Sequence, residues 1–189
     1  MMNTQSRNNH SHIRLSVPMT KQKFDPRAWQ QDGFRSLDES ARWSNRSCGI
    51  ACVRMLIKYY RHEAPTLAVL LSQAMEISAF SPNGWIHHKL AELLGCYNVS
   101  SQALGVTRSI ETIVELLVEG HPVIASVTHQ FPCDGRRGGH LVVVTGVGIA
   151  GEAPDVFYFN DPSSWGQCND CVAVERFLYS FSGRIIAVG

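Results

Sequence analysis

Cys48 opens the apolar run SCGIACVRMLIKYYRH, residues 47–62, and a sulfur in that position can act as a nucleophile. Ile50, Val53, Ile57 and Tyr60 recur at helical spacing, as do Cys52, Leu56 and Tyr59, so the run predicts a helix buried on most sides. Ser47 is its expected N-cap. A helix N-terminus carries about half a positive charge and unpaired N–H groups. Both favour a thiolate, and the N–H groups can form part of an oxyanion hole. Gly49 has no side chain, which lets a substrate carbonyl approach. Cys52, one turn further on, reads as packed core.

A thiol nucleophile needs a base, and eight histidines compete for the role. His10 and His12 lie near the N-terminus, His62 and His129 in a helix end and a loop, His87 and His88 on a helix, and His121 just before a strand. His140 differs: it follows Gly138-Gly139 and opens LVVVTGVG, the most apolar strand of the chain. If 140–148 turns through 149–154 and returns as 155–161, the numbers of facing residues total about 303. His140 then faces about position 163, and Asp161 comes within side-chain reach of it. Asp161 can hold the imidazole in one tautomer while the other nitrogen faces Cys48. Asn160, on the opposite face of the strand, is the second choice for that orienting role.

These side chains need elements to hold them. Short helices are expected at about 66–76, at 84–94 (opened by Ser81-Pro82-Asn83 and closed by Gly95) and at 110–119, with Ser109 as cap and Gly120 as stop. Then the period changes. PVIASVT (122–128), HLVVVTGVG (140–148), DVFYFND (155–161) and RIIAVG (184–189) are short, β-branched and aromatic. Helices first and strands second predict an α+β fold: a helical half, with its central buried helix, packed on a C-terminal antiparallel sheet. Residues 13–47 read as an irregular wrap, and the Asp134–Gly139 segment as a flexible turn beside the cleft, a candidate lid.

The 189 residues suit one domain, taken as 13–189, after a disordered tail at 1–12. Hydrophobic residues make up 44% and charged residues 17%, enough for a core. A formal net charge of +1 offers no basic field for nucleic acid, so no nucleic-acid partner is expected. No apolar run nears the ~20 residues of a membrane span, and the N-terminus lacks a secretion signal's apolar stretch. The expectation is a cytoplasmic protein with no membrane partner, its six cysteines mostly free thiols. Cys168-Asn169-Asp170-Cys171 is a C-x-x-C that a redox or zinc protein would use. Zinc would need two further ligands, for which Cys133 and His129 are loose candidates, so a plain loop pair is the expectation. Trp165, just after Asp161, can wall the site or belong to the core.

One series of segments is familiar as a whole: Ser47-Cys48-Gly49-Ile50-Ala51-Cys52, Asn83-Gly84-Trp85, Gly120-His121-Pro122-Val123-Ile124, Gly139-His140-Leu141-Val142-Val143-Val144-Thr145-Gly146 and Asn160-Asp161-Pro162. It resembles the bacteriocin-processing, double-glycine-type cysteine peptidases and their stand-alone relatives in the papain-like superfamily, over about residues 45–189. The resemblance implies a papain-like fold, a Cys48–His140–Asp161 site, a peptide or amide substrate, no metal and no organic cofactor. It departs in one place. The processing peptidases usually carry a Gln six residues before the Cys to complete the oxyanion hole, and here Arg42 stands there. Asn45 or Gln22 can substitute. The expected activity is hydrolysis through a thioester. Transfer of the acyl group to an amine or thiol, a catalytically dead peptide-binding module and a C-x-x-C redox or zinc protein are the competing readings.

Overall fold

The computed structural model describes residues 10–107 and 110–189. Among them, helix α1 (Leu37–Ser44) precedes the long helix α2 (Cys48–Arg61), followed by α3 (Leu67–Glu76) and α4 (His87–Gly95). The sheet half holds β4 (Ser101–Gly105), α5 (Glu111–Val118), β5 (Val123–Val127), β6 (His140–Ala150), β7 (Ala153–Asn160), β8 (Cys171–Ala173), α6 (Val174–Ser180) and β9 (Arg184–Val188). A first strand, β1 (His10–Arg14), and a two-stranded hairpin, β2 (Phe80–Ser81) with β3 (Gly84–Trp85), complete the elements. This is the α+β architecture expected, with a large antiparallel sheet.

The sheet runs β4-β9-β5-β6-β7-β8, and β1 joins it along β6. Strand β6 is long enough to serve two neighbours on one edge: residues 140–144 pair with β5 and 146–150 with β1. Side chains alternate across the sheet between two apolar clusters. Ile124, Leu141, Val143, Ile186 and Val188 face α2, α3 and α4, whereas Val123, Ala125, Val127, Val142, Val144 and Ile185 face the layer that holds α5 and α6. A strand covered on both faces has no polar side to show, which is why HLVVVTGVG reads as unbroken apolar sequence.

Four expectations are corrected. His10–Arg14 forms a strand antiparallel to Ala150–Gly146, so residues 10–12 are not a tail; the rest of the expected tail, 1–9, lies outside the described residues. The 13–47 wrap contains α1, whose Ser36 hydroxyl accepts from Glu39 N–H. Ser81-Pro82-Asn83 turns the small hairpin rather than opening a helix, and α4 starts at His87. Helix α5 has Ile110 at its N-cap position; Ser109, the expected cap, lies outside the described residues. No helix among the described residues is long and apolar enough to cross a membrane.

Candidate active site

Helix α2 begins at Cys48, with Ser47 in the N-cap position. Ser47 makes no side-chain capping bond, and its buried Oγ has no partner among the described residues. The N–H groups of the first turn are therefore not consumed by a side-chain cap. Cys48 is 8% exposed and lines a cleft of about 740 Å³ between the helical half and the start of β6. Cys52 is fully buried and its Sγ–H points at Leu141 O, 3.4 Å away. Burial first, then the charges of Cys48 and Asp161, push the Cys52 thiol well up, so it stays protonated and structural.

Gly138 and Gly139, at φ 75° and 90°, carry the chain into β6, a left-handed course that favours glycine. They deliver His140 to the cleft, 7% exposed. Its Nε2 lies 2.8 Å from Asp161 Oδ1. Cys48 lines the same cleft as His140 and is near enough to raise the proton affinity of its ring. Burial pulls the imidazole's affinity for a proton down. The bond to Asp161 and the attraction of nearby Cys48 and Asp161 overcome it, and the pKa is pushed up to about 10. Asp161 is fully buried, and burial pushes its carboxyl up. The His140 bond and charge and the Ser163 bonds outweigh that and hold it below the usual range. Asp161 Oδ1 also accepts from Ser163 N–H at 2.8 Å, while Oδ2 has no partner among the described residues. Gly166 allows this packing, since a Cβ there would collide with Asp161.

His129 belongs to the same cluster, although a loop position eleven residues before His140 gave no sign of it. Its ring stands edge-on to His140 with centroids 5.0 Å apart, and its Nε2 lies 3.1 Å from Ser163 Oγ. Burial and then the neighbouring His140 lower its pKa. His129, His140 and Asp161 offer ligand atoms within 4.8 Å of one another, the one group among the described residues that could hold a metal ion. The His140–Asp161 bond already occupies two of the side chains such an ion would need. Cys133, Cys168 and Cys171 are exposed free thiols outside that group.

The secondary site residues divide. Asn45 ends α1 and lines the cleft. Gln22 is buried: its N–H donates to Pro162 O at 2.9 Å and its Nε2 to Ser44 O at 3.1 Å, so it ties the segment before Cys48 to the one after Asp161. Arg42 is exposed on α1, away from the cleft lining. Gly49 packs against Trp85. A Cβ there would come 2.7–2.9 Å from ring carbons of Trp85, whose Nε1 donates to Arg46 O at 2.6 Å. Gly49 thus seats Trp85, a wall of the cleft. Asn160 donates to Val17 O at 2.9 Å and does not meet His140. Trp165 stacks on Phe159 and stands edge-on to His129, behind the histidines and outside the cleft lining.

A model of the Peptidase_C39 like family matches residues 14–181. Among solved structures, a C39-like peptidase from Bacillus anthracis superposes with a TM-score of 0.63 at 16% identity, covering 95% of this chain and 98% of that one. A double glycine motif protease from an AMS/PCAT transporter, solved with its leader peptide, gives 0.56 at 18% identity over 93% and 92%. The peptidase domain of Streptococcus ComA, a bi-functional ABC transporter involved in quorum sensing, gives 0.54 at 20% identity over 77% and 92%. At these identities the structures show likeness of fold. No curated protein matches the chain.

Proposed function

Because this chain belongs to the Peptidase_C39-like family, a family of cysteine peptidases, we propose that it cleaves a peptide or amide bond through a thioester on Cys48, with His140 as base and Asp161 as the group that orients it. The observation that supports this reading is His140 bonded to Asp161 at 2.8 Å, on a cleft whose lining also holds Cys48. The proton of Cys48 passes to His140, and the sulfur attacks the substrate carbonyl. Collapse of the tetrahedral adduct breaks the C–N bond as His140 protonates the leaving amine. Water, its proton taken by His140, then releases the acyl group and restores the thiol. A ring that holds its proton up to about pH 10 suits the imidazolium partner of a thiolate.

The oxyanion would meet the backbone N–H of Cys48 and one side-chain donor. The candidates are Asn45, on the cleft lining, and Gln22, which lies outside that lining but whose amide keeps a second hydrogen beyond the one given to Ser44. Arg42 is exposed and is not among the residues that line the cleft, so this reading gives it no part in the oxyanion hole. A peptide substrate is supported by the relative solved with its leader peptide.

The test is incubation of the full chain with a mixed peptide library, read by mass spectrometry. Cleavage that disappears in Cys48→Ala, with an acyl adduct on Cys48 in the parent protein, supports the reading; identical products from parent and Cys48→Ala would sink it. Added amines that divert the acyl group would instead mark transfer.

A further inference from the structure

The chain as a whole is nearly neutral, at +1, but its cleft is not. Arg46, Arg137 and Arg184 line it, with His87, and no aspartate or glutamate does. An adjoining depression shares His87 and Arg184 and again has no carboxylate in its lining. Elsewhere arginines meet carboxylates, Arg14 with Asp170 and Arg136 with Asp134, while among the described residues no ion pair involves the three in the cleft. Arg137 is held at the rim by bonds from Nη1 to the carbonyls of Leu178 and Phe181, 3.3 Å each, which leaves its other donors free.

Three guanidiniums without counter-charges, on a lining that holds no carboxylate, describe half of a binding site. The missing half is an anion. A carboxylate fits the planar guanidinium fork.

We propose that this part of the cleft is a carboxylate subsite, which draws an acidic residue of the substrate to Arg137 and Arg184 while the bond to be cut lies at Cys48. The proposal takes from the hydrolase reading only that the ligand is a peptide. A free C-terminal carboxylate has the same chemistry as a glutamate side chain, so the two sources must be separated by experiment.

The experiment uses the full chain as Cys48→Ala and fluorescein-labelled Gly/Ala octapeptides. A single Glu or Gln is walked along each peptide, and each is made with a free and an amidated C-terminus. Fluorescence anisotropy should show Glu favoured over Gln by about tenfold at one or two positions, whichever C-terminus is present. The preference should shrink in about 0.5 M salt. Arg184→Gln, at an exposed position, and Arg137→Gln should each bring the Glu/Gln ratio towards one. A preference that follows the free C-terminus alone assigns the subsite to the chain end. Equal affinity for all peptides, no measurable binding of any of them, or a Glu preference that survives both arginine variants would overturn the proposal. Turnover of the same peptides by the parent protein is scored separately: tight Glu-dependent binding without cleavage would count against the hydrolase reading and leave the subsite standing.

Discussion

Both N–H groups that reach Asp161 converge on one oxygen. Oδ1 accepts from His140 and from the Ser163 backbone at 2.8 Å each, and Oδ2 has no partner among the described residues. In Asp161→Asn the amide oxygen must therefore stay at the Oδ1 position, because turning the amide would set its NH2 against the fixed Ser163 N–H. The new NH2 falls where Oδ2 was, no worse partnered than the atom it replaces. His140 keeps its bond and tautomer and loses the attraction of a full charge. A charge-assisted bond exceeds a neutral one by about 1 kcal/mol, so kcat/KM should fall about five- to tenfold. Asp161→Ala removes the bond, frees the ring and strands the Ser163 N–H, which should cost about 10²–10⁴. The assay is kcat/KM against pH on a quenched peptide that the parent cleaves, with circular dichroism to confirm folding. The parent's basic limb should lie near the His140 value of about 10. In Asp161→Asn it should move to lower pH, since burial then meets less opposition. If Asn proves as damaging as Ala and the basic limb does not move, Asp161 does not hold His140 in the way described.

Three further outcomes follow from the packing. Gly49→Ala would drive a methyl to 2.7 Å from the Trp85 ring and should cost about 1–3 kcal/mol of stability by denaturant unfolding. Cys52→Ala should cost about 1 kcal/mol and leave the alkylation rate of Cys48 unchanged; a large change would mean the two sulfurs work together. The Asp161 carboxyl is held below its ordinary value in the fold, so its contribution is fully present above about pH 4 and is lost as pH falls through the folded value. Melting temperatures below about pH 4 should therefore fall less steeply in Asp161→Asn than in the parent protein.

The meeting of His140 and Asp161 was legible because a tight hairpin fixes register. Facing residues were expected to total about 303, and Val143 faces Asn160 while Gly146 faces Tyr158, the slip of one coming from a bulge between them. The turn itself is shorter than expected, at Gly151-Glu152. The neighbourhood of the nucleophile was harder to read. Helix α1 went unread in a segment taken for loop. Its signal was present as Ser36 followed by Glu39, which do cap the helix. Two residues had no local signal. His129 reaches His140 only through the fold, and Gly49 owes its smallness to a tryptophan 36 positions away. The cationic cleft was hidden for a similar reason, since Arg46, Arg137 and Arg184 are scattered along a chain of nearly balanced charge.

The functional reading turns on Cys48 and His140 sharing one proton. Sub-stoichiometric iodoacetamide at about pH 6, where ordinary thiols are protonated, followed by peptide mapping of all six cysteines, tests this most directly. Cys48, only 8% exposed, should take the label ahead of the exposed Cys96, Cys133, Cys168 and Cys171, and His140→Ala should abolish that preference. Labelling that simply follows exposure, with Cys48 as inert as Cys52, would contradict it.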